Sequence, residues 1–221
     1  MLPEATVAAL WLSVRVSLLA TALNAAVGIP LAYLLAKRRF WGHTALDVLV
    51  TLPLVLPPTV TGYYLIVLLG RRGWLGRSLY ELTGWTIAFT WQAAVVAASV
   101  MALPLMVRAS RAAIEAVNPD LERAAFVLGR SEWQTALEVT LPLARRGIVA
   151  GLVLAFARAL GEFGATLMLA GNIPGRTATV PLAIYTAVST GETQEAQVLV
   201  LLLTLLSCAV VLTAARLGGR V

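Results

Sequence analysis

The sequence contains very few of the side chains on which metal sites, disulfide frameworks and nucleotide-binding loops depend. Its only cysteine, Cys208, excludes an internal disulfide framework and a cysteine-based metal site. Its only histidine, His43, lies in a polar stretch and cannot form a metal site alone. Its only lysine, Lys37, follows Leu35-Ala36 instead of a glycine-rich turn, so the chain has no P-loop for ATP. We therefore predict no metal ligand and no catalytic residue.

Apolar residues dominate the composition instead. They make up 59% of the 221 residues and give a mean hydropathy of +0.84, whereas soluble proteins have about 45–50% apolar residues. The chain is therefore predicted to be an integral membrane protein. Its net charge of +6 is better explained by membrane topology than by nucleic acid, so no nucleic-acid partner is expected. The first apolar run lacks a basic lead and contains Arg15, so we expect it to be retained rather than cleaved as a signal peptide.

Five apolar stretches are long enough to cross a bilayer, which needs about 20 predominantly apolar residues, and they predict an all-α membrane protein. They lie at roughly 12–36, 46–69, 86–107, 147–170 and 196–215. Most basic residues of the connecting segments fall on the face that also holds the C-terminus. The positive-inside tendency places this face in the cytoplasm and the N-terminus outside.

One polar segment, residues 118–142, interrupts the apolar pattern and carries two helix starts. Asn118-Pro119-Asp120 supplies a capping side chain, a proline suited to the first helical position and an acid near the positive end of the dipole. Gly129 is predicted to end this helix. Ser131 and Gln134 have the spacing of a capping box, and Leu141-Pro142 is expected to close the segment.

The first of these helices has a narrow apolar stripe. Leu121, Ala124, Ala125 and Leu128 recur at helical spacing and therefore share one face. The helix is too short to cross a bilayer at about 1.5 Å per residue. The stripe fits either docking into the groove of a partner protein or lying on the membrane surface.

The same segment resembles a known family signature. Ala124–Gly129, followed by Val139–Pro142, is similar to the "EAA" signature of ATP-binding-cassette (ABC) importer permeases, although Arg123 precedes the alanine pair and the acid, Glu122, stands one place earlier. The resemblance implies a cytoplasmic helix that couples the permease to an ATPase. The residues it implicates are Glu122, Arg123, Ala124, Ala125, Gly129, Leu141 and Pro142.

The second predicted span contains three prolines and a glycine, Gly62, between residues 52 and 62. Because proline leaves backbone groups unbonded, a break here either is a packing kink or exposes N–H groups and hydroxyls to a passing anion. Pro57, Pro58, Thr59 and Thr61 are the candidates for an anion path.

The fourth predicted span carries two ionisable residues, Arg158 and Glu162, four positions apart on one helical face. Ionisable groups in a membrane are costly, so these two either form a salt bridge or line the path of the transported solute. Ala157, Gly161 and Ala165 form a small-residue stripe on which another helix can approach closely. The loop at 171–195, with a short apolar helix expected at 181–185, either contacts a solute-delivering protein or only connects spans.

Further segments resemble the permease subunit of bacterial molybdate ABC transporters over nearly the whole chain. They are Thr51–Pro58, Gly70–Gly73, Pro104–Ala109, Leu160–Thr166 and Gly171–Gly175. The resemblance implies one ABC transmembrane type-1 domain over residues 1–221, with the type I importer fold, in the cell (inner) membrane. It also implies a second copy of the chain, two ATPase subunits that use ATP and Mg²⁺, an extracytoplasmic molybdate-binding protein and surrounding lipid, with no cofactor bound by this chain.

Alternatives remain open at this level. The segment Gly161–Ala165 is similar to segments of sulfate and tungstate permeases, so the anion could be any of the three. An ion-coupled secondary transporter would need no ATPase and often contains inverted repeats. A non-transporting membrane assembly factor would use the polar segment to bind a different partner.

Overall fold

The computed structural model describes residues 4–218, with side chains through residue 213, and contains no β-strand in that range. The predicted domain ends, 1–3 and 219–221, lie outside the described residues. The helices are α1 (Glu4–Lys37), α2 (His43–Val55), α3 (Pro58–Leu69), α4 (Trp74–Thr83), α5 (Trp91–Glu115), α6 (Pro119–Val127), α7 (Glu132–Thr135), a π-helical turn (Ala136–Thr140), α8 (Leu141–Leu160), α9 (Gly164–Ala170), α10 (Val180–Thr190) and α11 (Thr193–Gly218).

Helix α1 buries mainly small and polar residues, and many of its large apolar side chains are exposed. Ser17, Asn24 and Gly28 are buried in the bundle, whereas Leu18 and Leu23 are exposed. This arrangement fits a helix in lipid, where apolar side chains gain nothing by leaving the hydrocarbon and small residues let helices pack closely. The outward leucines are therefore expected to contact lipid.

Helix α5 lies at the centre of the bundle and packs against α1, α8 and α9. Its buried face consists largely of small residues, which allows close approach. A methyl group placed on Gly28 of α1 would lie 3.0 Å from Met106 Cγ, and one on Gly151 of α8 would lie 3.1 Å from Ala109 Cβ. The two glycines thus let α1 and α8 pack closely against α5.

The second predicted span, 46–69, is not one continuous helix. It is divided into α2 and α3, which are bent by 118° at Leu56-Pro57. Pro53 lies inside α2 and Pro58 begins α3, so prolines flank the bend. The break predicted from the prolines is confirmed, because prolines so close together remove successive helix hydrogen bonds.

The fourth predicted span, 147–170, is also interrupted. Helix α8 ends at Leu160 and α9 starts at Gly164. Leu141-Pro142, expected to close the polar segment, does not end a helix, because one helical run extends from Glu132 through the π-helical turn to Leu160. Pro142 follows directly on the π-helical turn, where the Leu141 N–H donates to the Ala136 carbonyl and the regular α-helical ladder is already interrupted.

The described residues hold four helices long and apolar enough to cross a membrane, or five if the bent α2–α3 pair counts as one span. This agrees with the expectation of about five spans. The pairs Asp47–Arg111, Arg38–Glu132 and Lys37–Glu122 gather the end of α1, the starts of α2 and α7, the end of α5 and helix α6 at one end of the bundle. We call it the basic end, and the end holding α4, α10 and the start of α5 the opposite end.

Candidate functional site

Helix α6 begins and ends as its sequence predicts. The Asn118 side chain accepts a hydrogen bond from the Asp120 N–H at 2.9 Å. Gly129 has a φ of +82°, and the N–H groups of Gly129 and Arg130 donate to the carbonyls of Phe126 and Ala125, each at 3.0 Å. This pair of bonds is a Schellman motif, which needs a left-handed residue at the glycine position. The predicted helix start and glycine stop are confirmed.

The second helix start is confirmed as well. The Ser131 hydroxyl accepts from the Gln134 N–H at 3.3 Å, and the Gln134 side chain accepts from the Ser131 N–H at 2.9 Å. The reciprocal pair satisfies donors that a helix start leaves free. Gly129 lies just before this box. We call the junction of α6 and α7, residues 128–131, the elbow.

The predicted apolar stripe of α6 is divided between two surfaces. Ala125 is buried against the bundle, whereas Leu121, Ala124 and Leu128 are exposed. Val127 joins them at 88% exposure, so the outward face is broader than the sequence stripe. The two predicted coupling alanines therefore lie in different environments. Ala125 packs α6 against the bundle, and Ala124 lies on the exposed face of α6.

Glu122 connects three elements at the basic end. Its carboxylate lies 2.9 Å from Lys37 Nζ at the end of α1 and accepts a hydrogen bond from the Thr140 hydroxyl, in the π-helical turn, at 2.6 Å. The Glu122 and Lys37 side chains are only 14% and 20% exposed. We call Lys37, Glu122 and Thr140 the Glu122 cluster.

The Glu122 cluster connects α6 to two long helices, α1 and α8. A charge-assisted hydrogen bond is roughly twice as strong as a neutral one, and removing one member of a largely buried pair leaves the other charge uncompensated. π-Helical turns often occur at functional sites, and this one brings Thr140 to Glu122. Helix α6 is thus tied to α1 through Lys37 and to the start of α8 through Thr140.

Arg123, the other charged candidate, has a different setting. It pairs with Asp120 within α6 at 2.9 Å, and both side chains are about three-quarters exposed. Glu122 therefore supplies the buried acid of the segment, and Arg123 lies on its surface. Sequence reasoning missed Lys37 and Thr140 as members of this site, although Lys37 was visible as the only lysine of the chain.

In the interrupted fourth span, Arg158 and Glu162 form a salt bridge, with Arg158 Nη1 2.7 Å from Glu162 Oε2. Glu162 is buried, and its Oε1 accepts from the Ala165 N–H at 2.8 Å. The Glu162 carboxylate thus both caps the start of α9 and neutralises Arg158. The salt-bridge interpretation of this pair is confirmed.

The two interruptions lie against each other. A methyl group on Gly164 would lie 2.9 Å from Pro58 Cβ, and one on Gly62 would lie 2.8 Å from Ala165 Cα. Helices α3 and α9 are therefore in backbone-level contact. Pro57, Pro58 and Thr59 are exposed, whereas Thr61 is buried and its hydroxyl has no hydrogen-bond partner among the residues described. The predicted path residues therefore gather at one place in the fold, with only some of them accessible.

A family model described as "Binding-protein-dependent transport system inner membrane component" matches residues 28–218. Among similar proteins, the molybdenum transport system permease protein ModB of Escherichia coli K12 is 50% identical over 195 residues, which cover 87% of this chain and 85% of that protein. The protein of the same name from Haemophilus influenzae is 46% identical over 184 residues, covering 83% and 80%.

Among solved structures, one of the MetNI methionine ABC transporter in inward-facing conformations has a TM-score of 0.76 at 18% identity. The match covers 99% of this chain and 98% of that one. At this identity the likeness concerns the fold alone, and it supports the fold of an ABC importer permease.

Proposed function

This chain belongs to the family of binding-protein-dependent transport system inner membrane components, and we propose that it is the permease subunit of an ATP-driven ABC importer of molybdate. The observation that carries the anion assignment is its 50% identity to a molybdenum transport permease over most of both chains. The observation that carries the coupling role is the Glu122 cluster, which ties the exposed helix α6 to α1 and α8. The protein is a multi-pass protein of the inner membrane.

The proposed mechanism is alternating access. Two ATPase subunits, which bind ATP and Mg²⁺, dock on the exposed apolar face of α6 in the cytoplasm. Closing of the ATPase pair moves α6, and the Glu122 cluster passes that movement to α1 and α8. This chain contributes no residue to ATP hydrolysis and acts as the lever. The elbow at Gly129 keeps α6 and α7 at a fixed angle, so the movement is not lost by bending.

The proposed assembly contains a second copy of this chain. We assign the interrupted helices, α3 and α9, which contact each other, to a path between the two copies. Irregular backbone at membrane depth persists against protein or a watery cavity. The exposed Pro57, Pro58 and Thr59 fit the wall of such a path. Arg158 and Glu162 maintain the interruption, since one carboxylate binds both the arginine and the first turn of α9.

Delivery of the anion is assigned to an extracytoplasmic molybdate-binding protein that docks at the opposite end of the bundle. The loop between α9 and α11 is ordered there around α10, whose first N–H donates to Ser13 of α1 at 2.7 Å. This hydrogen bond anchors α10 to α1, and the loop around α10 is the proposed docking surface for the binding protein. The chain itself is expected to bind no resident cofactor.

Reconstitution tests the proposal. The permease is assembled in vesicles with its ATPase and binding protein, and uptake of labelled molybdate is followed with and without ATP. We expect uptake only when ATP and the binding protein are both present. Competition with excess tungstate or sulfate measures the order of preference among the three anions. Uptake driven by an ion gradient without ATP would contradict the assignment and favour a secondary transporter. Sulfate uptake in preference to molybdate would contradict the anion assignment alone.

A further inference from the structure

A cavity of about 870 Å³ opens at the opposite end of the bundle, away from the Glu122 cluster. It lies between the end of α3, the turn at Gly70–Gly73 and the segment that leads into α5. Its volume falls within the range of about 300–1,000 Å³ that is usual for small-molecule sites. Neither the coupling mechanism nor the paired helix interruptions use it.

The cavity is positively charged. Arg71 and Arg72 line it, and no carboxylate does. Among the described side chains, neither arginine has a carboxylate within 4.0 Å, whereas nearby Arg77 is paired with Glu81 at 2.7 Å. At the basic end, by contrast, Lys37 is paired with Glu122 at 2.9 Å. Arginines without a protein counter-ion in a concave site attract a small anion and can bind it through two parallel hydrogen bonds.

Arg71 is held in place by a neighbouring aromatic ring. Arg71 donates a hydrogen bond to the Tyr80 hydroxyl at 2.7 Å, and its guanidinium stacks 4.1 Å from the centre of the same ring. The N–H of Gly73 donates to the Gly70 carbonyl at 2.7 Å and closes the turn. Thr86 lines the same cavity, and its buried hydroxyl has no hydrogen-bond partner among the described residues. The cavity therefore offers two cationic side chains to a polar ligand, with the Thr86 hydroxyl buried in its wall.

The floor of the cavity is joined to the interrupted fourth span. Phe89 lines the cavity with a φ of 61°, unusual for a residue with a side chain, and its N–H donates to the Leu169 carbonyl of α9 at 3.0 Å. Backbone in such a conformation persists where its surroundings fix it, often at a functional site. Helix α9 extends only about 10 Å, from Leu169 down to the Glu162 cap, at 1.5 Å per residue. The cavity is thus connected to the paired interruptions through helix α9.

We propose that this cavity is the outer receiving site, where Arg71 and Arg72 bind the transported tetrahedral oxyanion after the binding protein releases it. The inference rests on the proposed function and adds the residues that first hold the anion. A tetrahedral dianion matches two cationic forks in charge and in hydrogen-bonding capacity. The phosphate of a lipid headgroup has the same chemistry, so the experiment must separate the two sources.

The test compares Arg71→Ala/Arg72→Ala with Arg77→Ala in the complete transporter. Arg77 is a matched control because it lies on the adjoining helix but pairs with Glu81 and does not line the cavity. Losing two charge-assisted hydrogen bonds should lower the maximal rate of ATP-driven molybdate uptake by at least about tenfold. The concentration of loaded binding protein that gives half-maximal uptake should not change. Arg77→Ala should transport as the wild type does, and Arg71→Lys/Arg72→Lys should recover only part of the rate, because lysine keeps the charge but cannot make the two parallel hydrogen bonds.

Other outcomes overturn the inference in distinguishable ways. If half-maximal uptake shifts to higher binding-protein concentrations while the maximal rate stays the same, the arginines dock the binding protein. Retention of labelled molybdate by the wild-type complex is also measured in lipid-free detergent without binding protein, where the double alanine variant should bind at least about tenfold more weakly. An equal affinity there, with an uptake defect only in lipid vesicles, would assign the arginines to headgroup phosphates. Wild-type-like uptake by the double variant removes this site alone, whereas lack of uptake by the wild type removes the proposed function.

Discussion

Lys37 and Glu122 lie 85 positions apart in the sequence, yet Lys37 Nζ is 2.9 Å from the Glu122 carboxylate in the fold. The pair joins the last residue of a membrane-spanning helix to the helix proposed to receive the ATPase stroke. Thr140 holds the same carboxylate from the other side, so one side chain connects α6 to both α1 and α8. This relationship gives the coupling role a specific physical test.

Removing the Lys37 charge should uncouple ATP hydrolysis from transport. In Lys37→Ala, Glu122 keeps only Thr140, and α1 is released from α6. Because breaking a largely buried ion pair costs about 3–5 kcal/mol, we expect molybdate uptake per ATP hydrolysed to fall at least about tenfold. The measurement is the ratio of the two rates in vesicles.

Two further variants control for this result. Arg123→Ala removes an exposed pair within α6 and should leave the ratio near the wild-type value, since exposed pairs contribute about 0–1 kcal/mol. The exchange Lys37→Glu/Glu122→Lys should recover part of the coupling lost in either single reversal. A ratio unchanged in Lys37→Ala would exclude the Glu122 cluster as the transmission route.

Gly129→Pro should abolish coupling by deforming the elbow. Proline fixes φ near −65° and has no N–H, whereas Gly129 has a φ of +82° and donates to the Phe126 carbonyl. ATP-driven uptake measures the effect. Gly129→Asn is the matched control, because asparagine tolerates the left-handed region better than other residues with side chains, so it should keep most of the activity. Full uptake by the proline variant would show that the elbow angle is not needed.

Glu162→Ala should destabilise the protein more than a surface substitution does. It leaves Arg158 without its partner and removes the cap of α9, and the loss of one member of a buried pair costs about 3–5 kcal/mol. We expect a lower thermal unfolding midpoint in detergent and reduced uptake. Glu81→Ala, which breaks the exposed pair with Arg77, should leave the midpoint nearly unchanged. Equal midpoints for the two variants would contradict the structural role of Glu162.

Gly164→Ala should impair transport because the added methyl group would lie 2.9 Å from Pro58 Cβ and separate the two interrupted spans. Gly161→Ala provides a nearby control, since a methyl group there would meet only the Ala157 carbonyl oxygen at 3.8 Å. We expect uptake to fall for the first variant and to stay near the wild-type rate for the second. The opposite order would show that the contact between α3 and α9 is not required.

Local chemistry made part of this protein predictable from its sequence. Asn118, Gly129 and the Ser131–Gln134 box act within a few residues of themselves, so their spacing alone indicates where α6 begins and ends and where α7 begins. The apolar stretches predict membrane spans because length and hydropathy are also local properties. The salt bridge of Arg158 with Glu162 follows from a spacing of one helical turn.

Helix interruptions were only partly predictable. The prolines of the second span indicated a break, but not the 118° bend. The interruption after Leu160 has no proline, and its cap comes from the Glu162 side chain, so its pattern reads as a continuous span. The burial of Ala125 beside exposed Ala124 depends on how α6 lies against the bundle, which periodicity does not fix.

The sequence by itself determined that the chain lies in a membrane, where its polar elbow begins and turns, and which family it resembles, because these properties depend on neighbouring residues. Only the tertiary structure decided that Glu122 joins Lys37 and Thr140, that Gly164 meets Pro58, and that Arg71 and Arg72 share a cavity without a carboxylate. Those relationships depend on contacts between distant segments. Such contacts follow from the packing of whole helices, and a local sequence pattern does not specify them.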